Sequence, residues 1–393
     1  MNLQTSQWKQ FRIGEISEIQ YGSSLKFTEG TSGYKTFRMN EILNGIAFDN
    51  GEMKKTVITP SEFTKYRLNY GDILFNRTNS FEHVGRTGIF LMEADEYMFA
   101  SYLLRLSVDR TKVSPFYLNV LMNSNWFQTS IKRLATKAVN QANINAKSLA
   151  SFQIPLPSLE EQQKIAELFQ STDTSIKQVE EQEKYLLKLK NQLLRELFGD
   201  KRQFGNYLKE NDFETIKFEQ IAFNISERVE PQKTEYTIYV GLEHIDPDNL
   251  KIERKGKPED VIGVKLKIYK GDIIFGKRRA YQRKVAVSDF EGICSAHSMV
   301  LRANEKAIEK DLLPFFMQSD VFMNRAVQIS EGSLSPTIKW KVLANQEFVI
   351  PKREKQKQIA ETFIHFDKVI EEIRQQKQTL KNLKFKLLNE ILG

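Results

Sequence analysis

Two stretches of the chain carry the same alternation of apolar and charged positions. Ile176, Val179, Leu186, Leu189, Leu193 and Leu197 fall three, four or seven residues apart, and Ile370, Ile373, Leu380, Leu383, Leu387 and Ile391 repeat the spacing. That period places one apolar stripe on an otherwise charged helix, as in a coiled-coil seam. The predicted helices cover about 158–198 and about 352–392. Pro157 precedes Ser158-Leu-Glu-Glu161, a capping-box arrangement in which Ser158 accepts from a first-turn N–H while Glu161 reaches back. The second copy keeps Pro351 but has Lys352 in place of the serine, which weakens its cap. Gly199 and Gly393 stand where a left-handed C′ residue closes a helix. Some 40 residues at a rise of 1.5 Å make a rod of roughly 60 Å. A lone striped rod needs a partner, and the matching length of the other copy predicts an antiparallel pair within one chain.

The chain is in fact written twice. Ile165 to Gly199 and Ile359 to Gly393 align without a gap and share 14 of 35 positions. Chance would give about three or four. The same offset pairs Pro157 with Pro351 and Gln162 with Gln356. Upstream, Tyr-Gly-Asp-Ile-Leu-Phe-Asn-Arg (Tyr70 to Arg77) answers Lys-Gly-Asp-Ile-Ile-Phe-Gly-Lys (Lys270 to Lys277), and Phe37 to Ile42 answers Val240 to Ile245. Trp8 to Ile16 matches Phe213 to Ile221, and Met122 to Phe127 matches Met317 to Phe322. A period near 195 residues is too long for a solenoid and indicates two globular-domain-plus-helix units. The domain plan is 1–150 globular, 151–200 helical, 207–345 globular and 346–393 helical.

Both globular segments read as mixed α/β. Strand-like runs occur at Lys54–Ile58, Asp72–Phe75, Tyr102–Val108, Tyr236–Val240, Asp272–Phe275 and Ser298–Leu301. Pro115–Leu134 and Lys310–Ile329 read as shorter amphipathic helices, and the Gly-Asp pairs as turns. After each Gly-Asp strand comes a polar, basic loop, Asn76 to Arg86 in the first half and Gly276 to Lys284 in the second. Arg, Lys, Asn, Gln and Ser on such loops have the donors and acceptors for phosphates and base edges. The fold class is thus α+β: two mixed α/β domains and two long helices pairing as an antiparallel coiled coil, in a pseudo-two-fold repeat.

Composition narrows the function classes. The 393 residues carry a net charge of +8, which favours an anionic partner, although 50 acidic residues temper it. One cysteine, Cys294, excludes a disulfide framework, and four histidines leave little material for zinc. Without an apolar leader or a run of 18 apolar residues, the expectation is a soluble cytoplasmic protein with no membrane partner. No phosphate-binding G-x-x-x-x-G-K-[ST] loop, dinucleotide fingerprint or nucleophile elbow is present. Cys294 near His297 reads as a core residue rather than a nucleophile. Glu52-Met-Lys54 and Glu253-Arg-Lys255 have nuclease-like spacing, but neither follows a convincing metal-binding aspartate.

Taken together, the duplicated Ile154-Pro-Leu-Pro-Ser-Leu-Glu-Glu-Gln-Gln-Lys-Ile-Ala166 run, the leucine-striped helix ending Leu-Leu-Arg-Glu-Leu-Phe-Gly199, Tyr-Gly-Asp-Ile-Leu-Phe with the Arg77 loop, and Tyr239 to Ile245 resemble the specificity subunits of Type I restriction–modification enzymes. The resemblance covers essentially the whole chain. In the second copy, Pro351-Lys-Arg-Glu-Lys-Gln-Lys departs from the pattern.

That resemblance implies a non-catalytic, prokaryotic subunit. Each globular domain is a target-recognition domain reading one half of a split site in double-stranded DNA, and the helices measure the unread spacer. Two adenine methyltransferase (modification) subunits and motor-nuclease (restriction) subunits are the implied partners, and S-adenosylmethionine, ATP and Mg²⁺ belong to them. Since the loops of the two halves differ, the target is expected to be asymmetric. The candidate DNA-binding residues are Arg38, Asn40, Arg77, Thr78, Asn79, Ser80, His83, Arg86, Lys137, Asn140 and Gln141 in the first half. In the second they are Glu243, His244, Lys277, Arg278, Arg279, Tyr281, Gln282, Arg283, Lys284, Ser333, Ser335 and Thr337. Other readings are a module of a methylation-only system, a coiled-coil scaffold without a DNA role, and a nuclease acting alone.

Overall fold

The computed structural model describes residues 8–28, 32–93, 95–137, 139 and 141–393. The chain divides into two compact units, Met1–Val179 with Gln376–Gly393, and Glu180–Gln375. Each unit therefore takes in part of both long helices.

In the first unit, a six-stranded sheet runs in the order Ser17–Tyr21, Leu103–Val108, Ile73–Asn76, Thr87–Phe90, Gly45–Ala47, Ile42–Leu43. Leu103–Val108 is antiparallel to both neighbours, with Leu104 opposite Tyr21 on one side and Phe75 on the other. A three-stranded sheet of Tyr97–Phe99, Tyr34–Phe37 and Lys55–Thr56 lies beside a core of Phe37, Phe90, Tyr97 and Phe99. In the second unit, Ala222–Ile225, Ser298–Ala303, Ile273–Gly276 and Val285–Val287 form a sheet whose order repeats the first four strands of the six-stranded one. A second four-stranded sheet joins Arg228–Val229, Lys265–Ile268, Gly292–Cys294 and Tyr239–Val240.

The first and last strands of each globular half pair with each other. Lys9–Arg12 is antiparallel to Gln153–Leu156, and Phe213–Lys217 is antiparallel to Glu347–Pro351. The last strand then leads into the long helix. These helices span Leu159–Phe198 and Arg353–Leu392, within a residue or so of the lengths that periodicity and caps predict. The predicted capping box is present: Glu161 N donates to Ser158 Oγ at 3.3 Å and Ser158 N to Glu161 Oε2 at 3.1 Å.

Within each unit the helices run antiparallel. In the second unit Arg374 pairs with Glu183 at 2.7 Å and Lys190 with Asp367 at 2.5 Å, so seven residues forward on one helix match seven back on the other. In the first unit Lys384 pairs with Asp173. Of the expected seam, Val179, Leu197 and Ile370 are buried, while Ile176, Leu186, Leu189, Leu193, Ile373, Leu380, Leu387 and Ile391 are half-buried. Leu383, predicted in the seam, instead stands 46% exposed. Much of the helices' burial lies elsewhere. Ile165, Ala166, Phe169 and Leu392 join the first unit's core, and Leu194, Leu197, Phe198, Ile359, Ala360 and Phe363 join the second's. There they meet a phenylalanine-rich cluster in which Phe198 stacks edge-on against Phe316 and Phe315 tilts against Phe363.

Other sequence expectations are corrected as well, among them the strand expected at Lys54–Ile58, which forms only at Lys55–Thr56. Pro115–Leu134 is two helices, Pro115–Met122 and Asn125–Ile131, followed by a tight turn, Lys132–Leu134. Lys310–Ile329 likewise divides into Leu313–Gln318 and Asp320–Gln328. Both breaks fall at a serine that caps the next helix: Ser124 Oγ accepts from Phe127 N, and Ser319 Oγ from Phe322 N. The strand expected at Tyr236–Val240 forms only at Tyr239–Val240. Gly199 has no left-handed backbone; in the following turn Arg202 and Gly205 take positive φ instead.

Candidate nucleic-acid interface

Each half builds its polar face on a tight turn. Asp72 N donates to Asn69 O at 2.9 Å and Asp272 N to Tyr269 O at 3.0 Å, with Gly71 and Gly271 both at φ +91° in the third position, where only glycine is unstrained. Both aspartates turn inward. Asp72 accepts from Asn69 N and Ser107 Oγ, each at 2.8 Å, whereas Asp272 accepts from Tyr269 N at 2.9 Å and from the Arg302 guanidinium at 2.8 and 3.1 Å. Burial raises the Asp72 carboxyl above its ordinary pKa, against the hydrogen bonds that lower it. These locks fix where the following strand ends and its loop begins.

The loop after that strand is bonded to a later polar loop, residues 136–145 in the first half and 331–339 in the second. A short helix, the closing strand and then the long helix follow that loop. In the first unit Thr78–Asn79 pairs with Ala142–Asn143, which pairs with Thr136–Lys137, and Ile144 N donates to Arg77 O at 2.9 Å. In the second, Arg278 bridges to Thr337, Arg279 N donates to Pro336 O at 2.8 Å, and Ile338 N to Lys277 O at 2.9 Å. The structure thus brings together the two candidate segments of each half.

Not every candidate faces solvent. In the first unit Asn40, Ser80, Arg86, Lys137 and Gln141 are exposed, with Lys137 Nζ 4.1 Å from the centre of the Phe81 ring. Asn79 is half-buried, and Asn140 lies outside the described residues. Arg77, expected to face DNA, is a brace instead. Its guanidinium donates to Ser101 O at 3.1 Å and Asn143 Oδ1 at 3.2 Å and lies over the Tyr21 ring. Thr78 is buried and accepts from Asn143 Nδ2 at 2.8 Å. Arg38 pairs with the fully buried Glu41 at 2.5 Å, and His83 is half-buried.

In the second unit Glu243, Arg279, Tyr281 and Ser333 are exposed, while Gln282 is half-buried. Arg279 donates to Ser335 Oγ at 3.3 Å. Arg283 is drawn back into the protein, bonded to Asp248 at 2.8 Å, to Asp320 at 3.1 Å and to Gln318 O at 2.6 Å. Lys284 Nζ donates to Leu242 O at 2.6 Å, and Thr337 Oγ1 to Ser335 O at 3.1 Å. His244 caps its own turn, with Nδ1 accepting from Gly241 N at 3.1 Å; Glu41 does the same for Arg38 N at 2.8 Å in the first unit. Burial, first, and then neighbouring Arg228 lower the Lys277 ammonium's pKa. Burial, Arg278 and Lys277 likewise lower that of His297, which sits 3.3 Å from Arg278. A crowded cationic site of this kind gains from an incoming anion.

Sequence reasoning missed the residues that hold these loops. Asn143 and Ser101 clamp Arg77, and Asp248 and Asp320 clamp Arg283. Asn143 belongs to the later polar loop, a local signal that could have found it; the aspartates sit far off in the chain and carry none. Among the described residues no group of three or more His, Cys, Asp or Glu side chains could hold a metal ion. No helix among them is long and apolar enough to cross a membrane. Cys294 is fully buried, as a core residue should be.

The model of the Type I restriction modification DNA specificity domain matches residues 5–189 and again 225–382. The chain belongs to this family. Its two matches fall one in each sequence repeat. The MjaVIII specificity subunit of a type I restriction enzyme from Methanocaldococcus jannaschii is 24% identical over 410 residues, covering 98% of this chain and 92% of that protein. The S subunit of the M. genitalium type I restriction–modification system has a similar fold, with a TM-score of 0.59 at 16% identity over 98% of this chain and 96% of that one. A structure solved in work on complex assembly and conformational transition of the type I R-M system gives the same TM-score, 0.59, at 13% identity, covering 98% and 97%. As a family member the chain is a DNA specificity subunit that acts with other restriction–modification subunits.

Proposed function

We propose that this chain reads a split, asymmetric DNA target, one half-site with each globular half, while its long helices measure the unread spacer. The observation that carries the reading is the repeated pairing of a polar loop with a second polar loop behind a Gly-Asp turn, built from different side chains in each half. Arg86 and Lys137 are offered to solvent in one, Arg279 and Tyr281 in the other. Equal scaffolds with unequal tips suit two different short sequences.

In this reading the chain itself is non-catalytic. Two methyltransferase subunits methylate adenines at the half-sites it selects, and motor-nuclease subunits cleave unmodified DNA. S-adenosylmethionine, ATP and Mg²⁺ serve those partners, in the cytoplasm of a prokaryotic cell. Mapping methylated adenines in cells with and without this gene tests it. A split motif with unlike halves that vanishes on deletion is the expected result; a palindromic motif, or no change, overturns it.

A further inference from the structure

The polar faces carry one feature that charge and hydrogen bonding do not explain. Leu334, in the later polar loop of the second half, is 90% exposed, and Val139, in the matching loop of the first half, is 98% exposed. Each has an exposed aromatic residue on the companion loop: Tyr281, 55% exposed, and Phe81, 42% exposed. Single exposed apolar residues are ordinary on a surface; what sets these two aliphatics apart is that each stands among the cations and hydroxyls of a polar face and contributes nothing to either core. A bare aliphatic residue stands in the corresponding loop of each half, five residues before Ile144 and four before Ile338, although the surrounding loops share little sequence.

In the second half the aromatic is held out by strain. Arg279 and Arg283, neither of them glycine, adopt φ +58° and +54° and bracket the turn Ala280–Gln282. Ala280 is buried in the core, and the bonds of Arg283 to Asp248 and Asp320 anchor the far end. Left-handed backbone at two arginines persists only where the surroundings enforce it. Its result is to place Tyr281 at the surface, on the loop whose Arg279 is bonded to Ser335, next to Leu334. Cations and hydroxyls on both loops suit the sugar-phosphate backbone, and the bare apolar tips suit the stacked bases between the strands.

We propose that Leu334 with Tyr281, and Val139 with Phe81, are apolar wedges that enter a base step within each half-site and unstack it. The inference rests on the reading of these faces as DNA readers and adds what they do to the duplex. Proteins that deform DNA insert such side chains between bases. A methyltransferase must take its target base out of the stack, and a wedge already opening a neighbouring step lowers that cost.

The test uses the full chain assembled with its methyltransferase partner. The probes are duplexes of the mapped target, each carrying 2-aminopurine at one successive position of the half-site assigned to the second domain. Besides the rise at the target base that the methyltransferase itself extrudes, fluorescence should rise at one neighbouring step, and Leu334→Ser and Tyr281→Ala should each abolish that second rise and slow methylation about tenfold, the scale of one lost base contact. Leu334→Lys adds a charge without a wedge and should also lose the signal. A second rise that survives in any of the three variants, or a wild-type complex that methylates its site with a rise at the target base alone, overturns the proposal. Absence of site-specific methylation by the wild-type complex would instead remove the underlying reading, and the wedge with it.

Discussion

The amide of Ile338 donates to the carbonyl of Lys277 at 2.9 Å, and the amide of Ile144 donates to that of Arg77 at the same distance. These bonds tie the loop after the Gly-Asp strand to the later polar loop in each half. The side chains on the joined segments differ between the halves, while the backbone tie is the same.

Arg279 and Arg283 should behave oppositely. Arg279→Ala removes an exposed cation and should weaken DNA binding by about tenfold, reducing the dependence of affinity on salt by about one released counterion. Arg283→Ala removes the anchor of the same turn, its bonds to the half-exposed Asp248 and Asp320 carboxylates and to Gln318 O, and should lower stability by about 1–2 kcal/mol. Salt titrations of DNA binding and urea denaturation of both variants separate the two roles.

Arg77→Ala should act through position rather than contact. Losing two charge-assisted hydrogen bonds and a ring contact should cost about 2–3 kcal/mol and relax discrimination at the first half-site. Arg77→Lys cannot span Ser101 and Asn143 with one ammonium and should recover little. Thermal denaturation together with methylation of single-base target variants checks this.

Gln162 is buried and makes three bonds: Oε1 accepts from Ser114 N at 2.8 Å, and Nε2 donates to Lys112 O at 3.1 Å and Pro157 O at 3.0 Å. Gln356 repeats them with Glu309 N, Ala307 O and Pro351 O. Each glutamine pins the start of a long helix to a loop of its own domain. Gln162→Leu or Gln356→Leu keeps the volume but strands three backbone groups, so each should cost about 3 kcal/mol by urea denaturation.

Lys190 is only 4% exposed, whereas its partner Asp367 retains access to water. Asp367→Ala leaves a buried ammonium with no counter-charge, only Gln318 Oε1 at 3.4 Å and the Phe315 ring, and should cost about 3 kcal/mol. Lys190→Met removes the charge with it and should cost less than about 1 kcal/mol. Equal losses in the two variants would show the pair to be an ordinary attraction.

Burial pushes the Cys294 thiol up to about 12 from an ordinary 9.0. In the folded chain it should resist iodoacetamide at about pH 8 and react only after denaturation, as read by mass. Above pH 9 an unfolded chain releases a proton that the folded chain keeps. This group's contribution to stability therefore falls as pH rises from 9 towards 12.

The long helices were legible because their signals are local: a stripe, a proline, a capping box. The breaks at Ser124 and Ser319 were also written in the sequence, as serines able to cap the second helix of each pair, but the apolar pattern runs on through both and hides them. The leucine and isoleucine stripe lies further along each helix than Ile165, Phe169, Ile359 and Phe363, so it gives no hint that these four are buried. The loops could be named but their side chains not aimed. Arg77 and Arg279 look alike in sequence; a distant asparagine and carbonyl fold back on one and leave the other facing solvent.

The strand pairs Lys9–Arg12 with Gln153–Leu156 and Phe213–Lys217 with Glu347–Pro351 make each globular half a purse with a drawn string. Whatever lies inside can grow or shrink without moving the point at which the helix departs. The numbering offset between matching residues, drifting from about 205 at Trp8 and Phe213 to 194 at the helices, is the trace of that freedom. New reading surfaces can be tried inside either closure while the frame that carries them stays as it was.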